Sequence, residues 1–154
     1  MIAASRRFEI MTLIQRYFDN CSLHRLEPKS DDRGSLIAIE AGREVPFAIE
    51  RVYYLYGTGE GVERGFHGHK ALHQLMVCVA GSCAMSVDDG HARHDLVLDS
   101  PEIGLRVGPM IWREMRDFAP GSVMMVVASL PYDEGDYLRD YDAFRALACE
   151  PRKA

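Results

Sequence analysis

Gly61-Val62-Glu63-Arg64-Gly65-Phe66-His67-Gly68-His69-Lys70, continuing through Gln74 to Gly81, is the stretch on which the fold turns. Two histidines one residue apart point to the same side of an extended strand, because strand side chains alternate with a period of two. Glycines bracket the pair, Arg64 precedes it, and the β-forming run Leu75-Met76-Val77-Cys78-Val79 follows. The segment reads as one wall of a small β-barrel pocket that carries the chemistry.

Outward from this wall the chain is a succession of short strands. After the polar turn Pro28–Gly34, Ser35 to Glu40 reads as a strand buried on both faces, Pro46-Phe47 begins another, and Ile49 to Tyr56 is a third. Beyond the histidines, Leu72–Ala80 and Cys83–Val87 are joined at Gly81-Ser82, and Asp88-Asp89-Gly90 turns the chain into His91–Leu98. Ile103–Val107, Trp112–Phe118 and Val123–Ser129 follow, the last apolar enough to lie between two layers. Glu134 to Leu147 reads as a short outer helix, with Tyr137, Leu138, Tyr141, Phe144 and Leu147 on one face. Residues 1–20 admit either a short helix or a pairing strand. About ten strands separated by glycine and proline turns, without βαβ alternation, mean an all-β sandwich or barrel.

Composition sets the outer bounds. The chain has 154 residues, enough for one domain with a real core, and its 47% hydrophobic and 27% charged content is that of a globular protein. The expected division is an extension over 1–22, one domain over 23–148 and a tail over 149–154; Met11 is an alternative start. A formal charge of −5 and the lack of a basic run argue against nucleic acid. An anionic ligand must therefore be met by a few placed arginines. Cys21, Cys78, Cys83 and Cys149 show no CxxC spacing and read as free thiols, which fits a reducing cytoplasm. No stretch approaches a membrane span, and the apolar patch at 10–14 is too short for a leader.

The offsets from Gly61 to His67 and His69, then to position 74 and Gly81, are those of the first cupin motif, glycine-x5-His-x-His-x3/4-Glu-x6-glycine, with Gln74 in the glutamate's place. The chain thus resembles a cupin jelly roll with a short C-terminal helix. The second cupin motif supplies a further histidine; here Gly104 to Glu114 occupies that region, with Arg113 and Glu114 and no histidine. A catalytic metal needs about three protein ligands and an open position, so the expectation is no metal and no cofactor. The histidines are then free for proton transfer.

The resemblance narrows further. Asp32-Arg33-Gly34-Ser35-Leu36, Pro46-Phe47, Arg51-Val52-Tyr53-Tyr54, Arg64 to Lys70, Gly81-Ser82-Cys83, Leu98 to Pro101, Trp112 to Met115 and Tyr132 to Tyr137 resemble, in order, the dTDP-4-oxo-6-deoxyglucose 3,4-ketoisomerases. The likeness spans about residues 24 to 145. It implies a cytoplasmic homodimer acting on a dTDP-sugar, in the synthesis of 3-amino-3,6-dideoxy sugars for bacterial surface glycans such as lipopolysaccharide or S-layer chains. One departure is that some members carry histidine where this chain has Arg113 and Arg116. The expected catalytic residues are His67, as base or shuttle, and His69, as proton donor or oxyanion stabiliser, with the order reversible. Arg64, Arg51, Tyr53 and Arg33 are expected at the nucleotide, with Gln74, Trp112 and Tyr132 as further substrate contacts. His24, His91 and His94 lie outside any motif and are expected at the surface. The alternatives are a nucleotide-sugar 3,5-epimerase, a non-catalytic nucleotide-sugar-binding cupin and a metal-dependent oxygenase.

Overall fold

A computed structural model of the chain describes residues 11–151; the first ten residues of the extension and the last three of the tail lie outside them. The strands are β1 (Thr12–Phe18), β2 (Cys21–Arg25), β3 (Lys29–Asp31), β4 (Gly34–Leu36), β5 (Arg51–Leu55), β6 (Arg64–His69), β7 (Gln74–Ala80) and β8 (Cys83–Asp88). They continue with β9 (Arg93–Leu98), β10 (Ile103–Val107), β11 (Trp112–Arg116), β12 (Val123–Ala128) and β13 (Tyr137–Leu138), and helix α1 (Tyr141–Ala148) follows. A six-stranded sheet ordered β1-β2-β10-β7-β12-β5 faces a five-stranded sheet ordered β13-β6-β11-β8-β9, and β3 and β4 form a separate hairpin. All strand pairings are antiparallel. This is the expected all-β jelly roll with a short C-terminal helix.

The core between the sheets follows from alternation. Met76 and Cys78 of β7, Leu105 and Val107 of β10, and Met124 and Val126 of β12 meet Met85 and Val87 of β8, Leu96 and Leu98 of β9, and Met115 of β11. The intervening residues Leu75, Val77 and Val127 face out of the six-stranded sheet, where Ile37, Ile39, Phe47 and Ile49 pack on them. That arrangement corrects the expected strands at 35–40 and 46–47. Residues 37–50 are an irregular strap whose apolar side chains cover a sheet face, and apolar alternation alone does not separate a strap from a strand. Within 1–22, residues 12–18 take the strand alternative and pair with β2.

The expected helix over 134–147 divides. Residues 134–136 form a 3₁₀ turn, β13 pairs with β6, and only Tyr141–Ala148 is α-helical. The start is set by Asp140, whose carboxylate accepts a hydrogen bond from the Ala143 backbone N–H at 2.8 Å. Tyr141 donates to Asp88 at 2.8 Å, and Phe144 is fully buried against Trp112 and Leu138. The helix thereby lies on the outer side of β6, directly behind the histidines. All four cysteines are free.

Candidate active site

Strand β6 carries the pair, and three local features aim it. Gly65 (φ 90°) and Phe66 (φ 55°) take left-handed backbone conformations where the pairing of β6 with β11 slips between Arg113 and Glu114, which is a bulge. A phenylalanine in that region is held there against its own preference, a strain of about 1–3 kcal/mol. Gly68, between the histidines, faces outward under the helix; a Cβ there would lie 3.1 Å from the Phe144 ring. His67 and His69 consequently face the space between the sheets, with ring centroids 4.9 Å apart and nearly perpendicular.

Their hydrogen bonds assign the tautomers. His67 Nδ1 lies 3.0 Å from the Gly65 carbonyl, which only accepts, so Nδ1 carries the proton. His69 Nδ1 donates to Asp136 Oδ2 at 3.0 Å, while Asp136 Oδ1 accepts from the Ala71 N–H at 2.8 Å. Each neutral ring therefore presents an Nε2 lone pair, and the buried Nε2 of His69 has no partner among the described residues. Tyr137 lies against both rings, with centroids 5.0 Å from His67 and 4.3 Å from His69, and Arg139 sits 4.2 Å above its own face.

Behind the pair lies Arg113, 1% exposed. One Nη donates to Gln74 Oε1, the other to the Ile111 carbonyl at 2.8 Å, and Gln74 passes the connection on by donating to the Tyr53 hydroxyl at 2.9 Å. Burial pulls the guanidinium down to about 10, still charged at neutral pH. Burial and then the Arg113 charge push His67 down to about 4. The same two causes, followed by His67, hold His69 far below the ordinary imidazole range, and the Asp136 carboxylate does not reverse that direction. Among the described residues no three ligating side chains converge on a metal position, and a buried guanidinium beside the imidazoles repels a cation.

A cleft of about 300 Å³ opens over His67, lined by Arg51, Tyr53, Leu55, Arg64, Gly65, Met115, Tyr137 and Arg139. The structure thus brings together His67, Arg64, Arg51 and Tyr53, with His69 immediately beneath. Tyr132 stands at the rim, its ring 5.7 Å from both the Arg51 guanidinium and the Tyr137 ring. Gln74 does not reach the cleft and acts through Tyr53. Trp112 is a correction: as the outward neighbour of Arg113 it packs on Tyr141 and Phe144, and it donates to Glu114 at 3.0 Å. Arg33 sits at the tip of the exposed β3–β4 hairpin, paired with Asp31, and does not line this cleft. Arg113, Asp136, Tyr137 and Arg139 are additions. Asp136 and Tyr137 stood in a family-like motif, but a helical reading of 134–147 turned them away from the histidines.

A protein-family model described as FdtA: WxcM-like, C-terminal matches residues 19–148. A TDP-4-oxo-6-deoxy-alpha-D-glucose-3,4-oxoisomerase of Aneurinibacillus thermoaerophilus is 53% identical over 115 residues, covering 75% of this chain and 83% of that protein. Among solved structures, a His-to-Asn mutant of the 3,4-ketoisomerase QdtA from Thermoanaerobacterium thermosaccharolyticum, in complex with TDP-4-keto-6-deoxyglucose, superposes with a TM-score of 0.82 at 38% identity, covering 85% of this chain and 95% of that one. The WlaRB TDP-quinovose 3,4-ketoisomerase from Campylobacter jejuni gives 0.81 at 43% identity, covering 84% and 99%.

Proposed function

The chain belongs to the FdtA: WxcM-like, C-terminal family, and from that premise we propose how its own residues perform the family's chemistry. It is a 3,4-ketoisomerase that moves the keto group of a TDP-4-oxo-6-deoxy-hexose from C4 to C3. The observation that carries the residue-level reading is the cleft-facing, neutral His67 with a charged guanidinium buried behind it.

The adjacent carbonyl acidifies the hydrogen on C3. The Nε2 lone pair of His67 takes that proton, giving an enediolate with its charge on O4. The O3 proton passes to O4, and C4 takes up one proton in place of the one lost from C3, which leaves a carbonyl at C3 and a hydroxyl at C4. The free enzyme disfavours a second positive charge beside Arg113, which keeps the base unprotonated. The enediolate supplies the counter-charge that makes the imidazolium acceptable, so stabilisation appears as the reaction proceeds rather than in the ground state. His69, with its proton on Nδ1 held by Asp136, is the second group in the proton transfer. Arg64, Arg51 and Arg139 at the mouth suit a diphosphate, which the net charge of −5 otherwise repels. Tyr132 and Tyr53 offer stacking and hydroxyl contacts to the nucleoside or sugar.

The proposal includes a cytoplasmic homodimer serving 3-amino-3,6-dideoxy sugar synthesis. Support for the dimer comes from the outer side of β5, where Val52, Tyr54 and Tyr56 are 55–72% exposed on the open edge of the six-stranded sheet. A second copy seated there also gives the hairpin arginine, Arg33, a cleft to reach that its own chain does not offer.

Incubation with TDP-4-oxo-6-deoxyglucose in D₂O, followed by NMR, tests the reaction. The expected product has its carbonyl at C3 and solvent deuterium at C4. Deuterium at C3 or C5 with the carbonyl still at C4 is epimerase behaviour, and no exchange at all overturns both. A second expectation concerns pH. kcat/KM reports the free enzyme's base, and a base active only when neutral loses activity as pH falls through its pKa. Arg113→Met removes the second largest of the causes that lower His67, after burial, so the acid limb moves up from about 4 toward the ordinary imidazole value. An unmoved limb excludes His67 as the titrating base or Arg113 as its neighbour.

A further inference from the structure

The opposite face of the six-stranded sheet carries a cluster that the isomerase reaction does not use. Arg16 of β1, Ser22 of β2 and Arg106 of β10 lie in register across the three strands, with His24 two residues along β2. Because Cys21, Leu105 and Val107 turn into the core, these polar residues all face outward. A cavity of about 520 Å³ opens over Arg106 and His24, walled also by Glu44, Pro46, Phe47 and Met11.

The charged side chains of the cavity wall are Arg43, Glu44 and Arg106. Among the described residues Arg106 makes no ion pair, and the influences that lower its pKa are burial and Arg16, with no carboxylate opposing them. Arg16 is itself spent on the Asp19 carbonyl, and Arg43 at the rim is paired with Glu40 at 3.2 Å. Glu44 turns its carboxylate to the Glu40 N–H at 2.8 Å. His24, expected at the surface, is 8% exposed and is pushed down to about 4 by burial, Arg106 and Arg16. His73 is lowered by burial and by the same arginine.

His24 adds an independent sign of a missing partner. Its Nε2 lies 2.7 Å from the Ser22 hydroxyl, and its buried Nδ1 has no partner among the described residues. In the tautomer in which Ser22 donates to Nε2, Nδ1 carries a hydrogen that lacks an acceptor among the described residues, and a buried unmet donor is costly. An oxygen placed between Nδ1–H and the Arg106 guanidinium answers both needs. In a protein of net charge −5, the Arg106 guanidinium, without an ion pair among the described residues and beside one such donor, makes a site suited to an anion.

We propose that this outer cavity is a second, non-catalytic site that binds the phosphate group of a small metabolite, held by Arg106 and His24 with the ligand's apolar body against Phe47 and Pro46. The test is NMR of the histidine rings in full-length protein whose active site is saturated with TDP, during titration with inorganic phosphate. The expected result is a saturable shift of the His24 resonances with those of His67 unmoved, weakened at least tenfold in Arg106→Met and in His24→Gln while both variants keep their TDP affinity and turnover. Movement of His67 alone, or a His24 shift that survives both substitutions, overturns the proposal. So does a silent His24 with Arg106→Met loosening self-association, because the anion would then be a carboxylate of a second copy.

Discussion

His67→Asn is expected to lower kcat by about 10²–10⁴-fold, the range that a positioned general base contributes, while the affinity for TDP changes less than twofold. Asparagine is the informative replacement because its amide N–H can keep the bond that His67 Nδ1 makes to the Gly65 carbonyl. The bulge at Gly65 and Phe66 then has no reason to relax, and what disappears is the Nε2 lone pair. Single-turnover formation of the 3-keto product measures the chemical step directly. Retention of a tenth or more of the wild-type rate would assign the base elsewhere, with His69 next in line.

Asp136→Asn is expected to cost roughly 10²-fold in kcat, in line with losses seen when the partner that orients a catalytic or ligating histidine is changed. The two carboxylate oxygens are both engaged, one by the His69 ring and one by the Ala71 N–H. An amide has only one acceptor. If it stays with Ala71, an N–H faces His69, and the ring must move its own proton to Nε2 to accept it. The catalytic signature is therefore a tautomer change, visible as an exchange of the ¹⁵N shifts of the two His69 ring nitrogens. A merely structural role for Asp136 would lower stability and leave that pattern alone. Loss of activity without the tautomer change would remove Asp136 from the positioning role.

The legible parts of this molecule were those that a periodicity or an offset determines. Ile103–Val107 has the bounds in the structure that alternation gave it, and the glycine offsets around His67 and His69 singled out a strand that the structure places along a cleft. Arg51 and Tyr53 share a face because they stand two apart on one strand. Illegible were the contacts that need the third dimension. Arg113 was visible as the residue occupying a missing ligand's region, yet only the register of β11 against β6 puts it opposite His67. Trp112 took the outer face for the same reason, since neighbours on a strand cannot both face inward. The strap over 37–50 has the composition of a strand, and its ladder partners are absent for geometric reasons that no local pattern records. Asp136 and Tyr137 lie on an eight-residue stretch, 134–141, that changes conformation three times, faster than a helical period can register.

The seating of Phe144 beneath Gly68 ties the end of the chain to its chemistry. An eight-residue helix does not persist alone in water, so α1 exists because Phe144, Tyr141 and the Asp140 cap hold it to the sheet. The dependence runs in both directions: the glycine that admits the ring leaves the histidine strand with no side chain of its own at that position, and the helix is its backing. For the engineer, Tyr141–Ala148 is not free surface. A substitution or a crosslink placed on this helix works on the reverse side of the two histidines, without touching the cleft at all.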